Sequence, residues 1–280
     1  MEWDGSDCEL MIALHAWRSA KSIVAFKKQH PDLPLILALT GTDLYQFINT
    51  HPETTLASIY SADRLVTLHS LAKNVLPKNV HYKIRVIYQS ALPLAKSSKR
   101  SVRCFDICVA GHLREEKDSL RVAYAVRDLP ASSRIRVLHF GKAHNEKWAA
   151  YALDEMKTNP RYHWFGEVPY WKVRRAYASC HLMVLPSLME GGANVISEAT
   201  VAGLPVLASA IDGSIALLGE DYAGYFPVQD SKALRALLLK AEAEPAYVEK
   251  LQQQCKQRAV LFSREAEKQG WVDLLKDMAL

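Results

Sequence analysis

The 280-residue chain lacks most of the features that would place it in a specialised class. Long apolar runs are missing: the longest, such as Leu33 to Leu39 and His181 to Leu185, are strand-sized, well short of the ~20 residues a membrane helix needs. No bilayer span and no membrane partner are expected. The five cysteines (Cys8, Cys104, Cys108, Cys180, Cys255) are odd in number and widely spaced, without C-x-x-C and without a secretory signal before them. That spacing disfavours a disulfide framework and points to a reducing cytoplasm. Ten histidines include no H-E-x-x-H or comparable ligand spacing, so no metal site is expected. A strong excess of either charge is missing as well, with 35 Lys and Arg against 30 Asp and Glu. A net charge of +5 spread along the chain suits anionic small ligands at most, and no RNA- or DNA-binding motif is present, so nucleic acid is not an expected partner. There is no internal repeat and no low-complexity tract.

What is present is an ordinary globular composition, 49% hydrophobic and 23% charged, on a length that favours two domains. Short apolar runs alternate with longer amphipathic stretches, the pattern of a parallel sheet with helices on its faces, hence an α/β fold. The strand-like runs are "ELMIAL", "LPLILALT", "DRLVTL", "KIRVIY", "FDICVAG", "SRIRVLHFG", "HLMVLP" and "LPVLAS". "HAWRSAKSIVAFKKQ", "KDSLRVAYAVRD", "VPYWKVRRAYASC" and "DSKALRALLLKAEAE" read as helices. The polar, basic segment "PLAKSSKRSVR" is the best linker, which divides the chain into 1–97, 98–258 and a terminal helix, 259–280, expected to pack back toward the first domain.

Three stretches in the second half carry chemistry. In "VAGHLREEKD" a buried-type strand runs into Gly111, His112, Arg114 and Lys117 at a helix start. Ligands of open α/β sheets bind beyond the carboxyl ends of strands, and helix amino termini favour anions, so phosphate is the obvious candidate. A solvated charged turn fits the same ten residues equally well. In "HWFGEVPYWKVRRAYASC" Gly166 follows a short aromatic strand, a turn on which a base could lie, although Trp164, Phe165, Tyr170 and Trp171 taken singly are better explained as packing residues. In "LPSLMEGGANVISEATVAG" the loop with Glu190, Gly191, Gly192 and Ala193 precedes a helix from Asn194 that Gly203 closes. The glycines let backbone approach a ligand, and the helix start offers unpaired N–H groups. Glu190 precedes that start and Glu198 lies inside the helix, on the side of Asn194. Carboxylates accept paired hydroxyls, so the two suit a sugar nucleotide. A helix-dipole carboxylate and an exposed helix glutamate are the alternative, and without the neighbouring motifs it would be preferred.

Together and in this order, the three stretches resemble the carboxyl-terminal domain of B-type glycosyltransferases (GT-B), the fold of two Rossmann-like domains. The spacing E-x7-E, Glu190 to Glu198, matches that family's donor signature. The resemblance implies that Glu190 contacts donor-sugar hydroxyls, that Glu198 binds the ribose, and that a basic pair holds the diphosphate. Of the usual G-R-L-x-x-x-K, Gly111, Leu113 and Lys117 match, whereas His112 stands in the Arg position and Arg114 is its candidate substitute. Over nearly the whole chain, "ALHAWRSA", "LTGTDLY", "IYQS", "GHLREEKD", "MEGGANVISEA" and "LGEDYAGYFP" resemble the selenosugar synthases of selenoneine biosynthesis, a branch of the same fold. That resemblance implies a UDP-sugar donor, UDP-N-acetylglucosamine or UDP-glucose, attacked by selenophosphate with release of UDP. No cofactor is required by it, and Mg is compatible with the diphosphate.

His15 and Arg18 follow one strand, and Thr40, Gly41, Thr42 and Asp43 follow another, so both sets are expected at strand ends on the acceptor side, with His15, Arg18 and Asp43 as the catalytic candidates. A core-edge histidine accounts for His15 too, and a helix N-cap before "LYQFI" accounts for Asp43 at least as well as catalysis does. A selenolate is already nucleophilic and has less need of a general base than a hydroxyl acceptor. Relatives of the fold open with a glycine-rich strand and loop, whereas "MEWDGSDCELMIALH" starts well inside the first domain, as if about three strands were missing. An incomplete first domain would expose a sheet edge and favour a homo-oligomer. The alternatives to a selenosugar synthase are an oxygen-acceptor glycosyltransferase of the same fold and an inactive, truncated nucleotide-sugar binder.

Overall fold

The computed structural model describes residues 3–94 and 98–279, so the expected domain boundary at residue 97 lies outside the described residues. The chain forms two compact units: Met1–Gln89 with Met189–Gly192 and Arg264–Leu280, and Ser90–Leu188 with Ala193–Ser263. The first unit ends at Gln89 and takes in the loop that carries Glu190, both unlike the expected division; it also holds the terminal helix from Arg264.

The first unit is a four-stranded parallel sheet in the order β1 (Met11–Leu14), β2 (Leu35–Ala38), β3 (Arg64–Thr67), β4 (Ile84–Val86). Helix α1 (Ala20–Gln29) links β1 to β2. A π-helical turn, Asp43–Phe47, runs into the short α2 (Ile48–Thr50) and then α3 (Pro52–Ser61), which lead to β3. The expected helix from His15 starts five residues later, because His15 has φ +82°, a left-handed conformation from which an L-residue helix cannot propagate. One face of the sheet is buried by Ile23, Phe26, Leu37, Leu44, Ile59 and Leu65. On another, Ile36, Val66 and Ile87 pack against Leu274 of the terminal helix.

The second unit is a six-stranded parallel sheet formed by β5 (Phe105–Ala110), β6 (Ile135–Phe140), β7 (Tyr162–Trp164), β8 (Leu182–Leu185), β9 (Val206–Ser209) and β10 (Tyr225–Phe226). Its order is β10-β9-β8-β5-β6-β7. Strands β5, β8 and β9 are buried along their whole length, as expected of central parallel strands covered on both faces. The crossovers are α4 (Leu120–Val126), α5 (Glu146–Thr158), α6 (Tyr170–Ser179), α7 (Asn194–Val201) and α8 (Asp212–Leu218). Then α9 (Ser231–Ala243) and α10 (Pro245–Arg258) follow, and α11 (Arg264–Asp277) is the helix of the first unit. Their ends are chemically specified: the Asn145 side chain accepts from Trp148 N (3.1 Å) at the start of α5, and Asp230 accepts from Lys232 N and Ala233 N at the start of α9. Among the described residues no helix is long and apolar enough to cross a membrane.

Chain order runs outward from β5 through β6 and β7, then returns to β8 on the other side of β5. The strand order therefore reverses between β5 and β8, and the crevice beyond the carboxyl ends of these two strands is where such sheets bind ligands.

Candidate active site

Two groups of polar side chains sit at strand ends, one in each unit. In the second unit, the segment Gly111–Arg114 leaves β5 at the reversal point and turns through a short 3-10 helix, Glu115–Lys117, before α4. The sequence placed a helix start at Lys117; left-handed Asp118 (φ +41°) interrupts it, and α4 begins at Leu120. Beneath this loop, Gly141 follows β6. A Cβ there would lie 2.0 Å from the Gly111 carbonyl oxygen, so no larger residue fits. His139, fully buried on β6, donates from Nε2 to that same carbonyl (2.9 Å), while its Nδ1 accepts from the Tyr162 hydroxyl (2.7 Å). Desolvation pushes His139 down to about 4, so its ring is neutral and its tautomer is set by these two partners. His139 carried no motif, yet it holds the loop that carries the cations.

That loop lines a cleft of about 420 Å³ together with residues from β6, α6 and α7, including Gly111, His112, Arg114, Lys117, Lys142, Tyr170 and Glu198. Its basic part continues into a smaller hollow of about 250 Å³ lined by His112, Arg114, Lys142, Ala143 and His144. The Lys142 amide donates to His112 Nδ1 (3.0 Å), which leaves the proton of a neutral ring on Nε2. Arg114 has a buried Nε with no hydrogen-bond partner; Glu116 stands 3.8 Å away, beyond bonding distance. A buried guanidinium N–H without a partner is costly and is the kind of donor an anionic ligand satisfies. Lys142, which sequence reasoning passed over, adds a cation; its position directly after the "HFG" strand end was the available signal.

The buried acidic group of the cleft is Glu198; the exposed Glu167 also lines it, 3.9 Å from Lys142. Glu198 is not the exposed helix charge that was the alternative: it is 9% exposed and held by three donors. Its Oε1 accepts from Tyr170 OH (3.0 Å) and Asn194 Nδ2 (3.1 Å), and Oε2 accepts from Tyr177 OH (2.9 Å). Burial, with Cys108 and Glu198 alongside, pushes the Tyr177 phenol well above its ordinary value, so it remains a donor. Asn194 opens α7, and Ala193 before it supplies no side-chain cap, which leaves the first-turn N–H groups to other partners. Gly166 adopts φ +66° and its carbonyl accepts from Gly141 N (2.8 Å); the cleft-lining residues are its neighbours Glu167 and Val168 rather than Gly166 itself.

In the first unit, Glu190 and Gly191 pack beside the loop Thr40–Asp43, and Gly192 packs against Leu68. A Cβ on Gly191 would lie 2.1 Å from Gly41 N, and one on Gly41 would lie 2.5 Å from Gly191 N, so the two backbones touch only because both residues are glycine. The same loop carries an ordered polar group. His15 Nδ1 is 2.6 Å from Asp43 Oδ1, and His15 Nε2 is 2.9 Å from Thr42 Oγ1. Asp43 Oδ2 accepts from Thr40 N (2.9 Å) and Thr40 Oγ1 (3.0 Å), and Oδ1 accepts from Trp17 N (3.2 Å). Asp43 is thus not a helix N-cap; it reaches back to hold His15. Burial works to raise this carboxyl, but the bonds from His15, Thr40 and Trp17 hold it below its ordinary value. The strained φ of His15 belongs to the same arrangement, and strain of this kind, worth roughly 1–3 kcal/mol, persists where surroundings over-determine it. Arg18 does not join the group. Its side chain is exposed and lines a separate hollow along β1 with Trp3, Ser6 and Cys8; only its backbone N–H lies near His15.

Among the described residues there is no group of three or more His, Cys, Asp or Glu side chains placed to hold a metal ion. Two Rossmann-like α/β units, one with a ligand crevice at its strand-order reversal, define the general class. The family described as glycosyl transferases group 1 matches residues 95–260, more than half of the chain, and the chain belongs to that family. The sucrose-phosphate synthase of Thermosynechococcus elongatus is similar in fold, with a TM-score of 0.81 at 18% identity over 96% of this chain and 73% of that one. Anabaena HepE, in its complex with UDP and glucose, has a TM-score of 0.79 at 15% identity over 96% and 78%. The pneumococcal O-GlcNAc transferase GtfA, in complex with UDP and GlcNAc, has a TM-score of 0.72 at 14% identity over 95% and 56%. At these identities the likeness is one of fold, the GT-B type. No curated protein matches the chain.

Proposed function

We propose that this group 1 glycosyltransferase draws its sugar from a UDP-sugar, with selenophosphate as acceptor. The donor assignment rests on one observation: a single cleft at the strand-order reversal is cationic on one side, through Arg114, Lys117 and Lys142, and carries the buried carboxylate Glu198 on the other. A diphosphate flanked by a vicinal diol is complementary to that layout. HepE and GtfA, whose structures hold UDP, support the same choice of nucleotide. Glu190 is assigned to donor-sugar hydroxyls by the sequence resemblance. In the reaction, the selenium of selenophosphate forms a bond to the anomeric carbon, the bond from that carbon to the diphosphate oxygen breaks, and its electron pair leaves with UDP. Arg114, Lys117 and Lys142 line that cleft, and in this reading they stabilise the charge gathering on the departing diphosphate.

The selenophosphate assignment is supported by the motifs shared with selenosugar synthases. One observation favours a second reading, an oxygen acceptor. With Asp43 on Nδ1, the His15 ring presents Nε2 as an acceptor to Thr42, the arrangement of a general base that a hydroxyl needs and a selenolate does not. Incubation with UDP-N-acetylglucosamine or UDP-glucose separates the two. UDP release with a seleno-sugar by mass spectrometry when selenophosphate is supplied is the expected result. UDP release with a sugar or lipid acceptor and none with selenophosphate would establish the second reading, and no release under either condition would overturn both.

A further inference from the structure

Glu198 has less capacity for a ligand than its carboxylate suggests. A carboxylate offers about four lone-pair positions, and three are already filled, by Tyr170, Asn194 and Tyr177. One position remains, whereas a ribose presents two vicinal hydroxyls. Displacing Tyr177 would leave a buried hydroxyl without its acceptor, and the exposed Asn194 holds Oε1 from the first position of α7. Tyr170 is different. It stands at the start of α6, is 49% exposed and lines the same cleft as Glu198. Its hydrogen is committed to Glu198 Oε1, which leaves the phenolic oxygen as an acceptor beside the carboxylate.

We propose that Tyr170 is the second half of the nucleoside-recognition pair: Glu198 accepts from one ribose hydroxyl at its remaining position, and the Tyr170 oxygen accepts from the other. The inference rests on the nucleotide-sugar reading above. The surroundings fix Tyr170 for that task. The Arg174 guanidinium lies 5.8 Å over its ring and is itself anchored, Nη1 donating to Leu92 O (2.9 Å) and Nη2 to Pro93 O (2.7 Å). Burial and the Glu198 carboxylate raise the Tyr170 phenol and keep its proton in place, against the Arg174 guanidinium, which approaches one lone pair of the phenolic oxygen and works to lower it; the other lone pair is the one offered to the ribose. Nothing in the sequence distinguished Tyr170 from its aromatic neighbours Trp164, Phe165 and Trp171; the hydrogen bond to Glu198 does.

The test is calorimetric titration of the full chain, as wild type, Tyr170→Phe and Tyr177→Phe, with UDP, 2′-deoxy-UDP and 3′-deoxy-UDP. The wild type should bind UDP and bind both deoxynucleotides more weakly. Tyr170→Phe should lose about 3- to 10-fold in UDP affinity, the worth of one neutral hydrogen bond. It should then be indifferent to one of the two hydroxyls, binding that deoxynucleotide within about twofold of UDP, while still discriminating against the other. Tyr177→Phe should weaken all three nucleotides in proportion, because its role is to hold the carboxylate in place. Unchanged UDP affinity in Tyr170→Phe, or a proportional loss for all three nucleotides, would overturn the proposal and leave the UDP-sugar reading standing. A wild type that does not bind UDP would overturn both. Because Tyr170 is half exposed, its thermal unfolding temperature should match the wild type, which separates recognition from misfolding.

Discussion

Replacing His139 by Gln exposes how the cation-bearing loop is held and gives a magnitude that can be worked in advance. His139 is fully buried and is pushed from its ordinary 6.5 down to about 4. At ~1.4 kcal/mol per pH unit, that displacement is worth about 3 kcal/mol. The sign follows from which state takes up the proton. Below pH 6.5 the unfolded chain binds a proton at this position that the folded chain refuses, so the His139 contribution is intact above pH 6.5. It declines as the pH falls and is lost by about pH 4. At pH 7 the variant should be less stable by roughly 1–3 kcal/mol, since the Tyr162 hydroxyl and the Gly111 carbonyl lose their shared partner. Urea unfolding of both proteins between pH 4 and 7.5 measures the gap. It should close by about 3 kcal/mol across that interval, and could invert at the acid end. A gap that stays constant with pH would refute the reasoning.

Other outcomes follow from the same geometry. Glu198→Ala should weaken UDP binding by roughly 1–3 kcal/mol in a titration, and should also lower the thermal unfolding temperature because the buried Tyr177 hydroxyl loses its acceptor. Gly141→Ala forces a Cβ to within 2.0 Å of the Gly111 carbonyl oxygen and should cost at least ~1 kcal/mol in chemical denaturation, with weakened UDP binding because the displaced loop carries His112 and Arg114. Asp43→Asn removes a carboxyl held below its ordinary value of 3.8, a contribution present above that pH and lost as the pH falls through the lower folded value. The variant should therefore show a flatter acid limb below about pH 4. With a hydroxyl acceptor its turnover should fall on the order of 10²-fold, while UDP affinity stays unchanged.

Much of the architecture was legible because parallel sheets advertise themselves. Eight short apolar runs in the sequence correspond to β1 to β6, β8 and β9, and their fully apolar stretches, such as "FDICVA", are those the fold buries on both faces. The two-residue β10 is too short to leave a pattern, and two helix starts were misplaced where one residue takes a left-handed conformation, at His15 and Asp118. In the cleft beyond β5, Gly111, His112, Arg114, Lys117 and Glu198 were readable from motif spacing. The residues that hold them were not. His139 and Tyr177 are single polar side chains that belong to no motif, and their function depends on neighbours 21 to 28 residues away in sequence, His139 on Tyr162 and Gly111 and Tyr177 on Glu198. Arg18 shows the opposite error. Proximity in sequence to His15 placed it in the polar group, but the left-handed turn at His15 sends the chain onward so that its side chain lines another hollow.

Calorimetric titration of the purified chain with UDP bears on the nucleotide-sugar assignment more closely than any other experiment. Saturable one-site binding is expected, weakened by added salt because the diphosphate meets Arg114, Lys117 and Lys142, and reduced by Lys117→Ala and by Glu198→Ala independently. Absence of binding, or binding that neither substitution alters, would contradict the assignment of this cleft to a UDP-sugar.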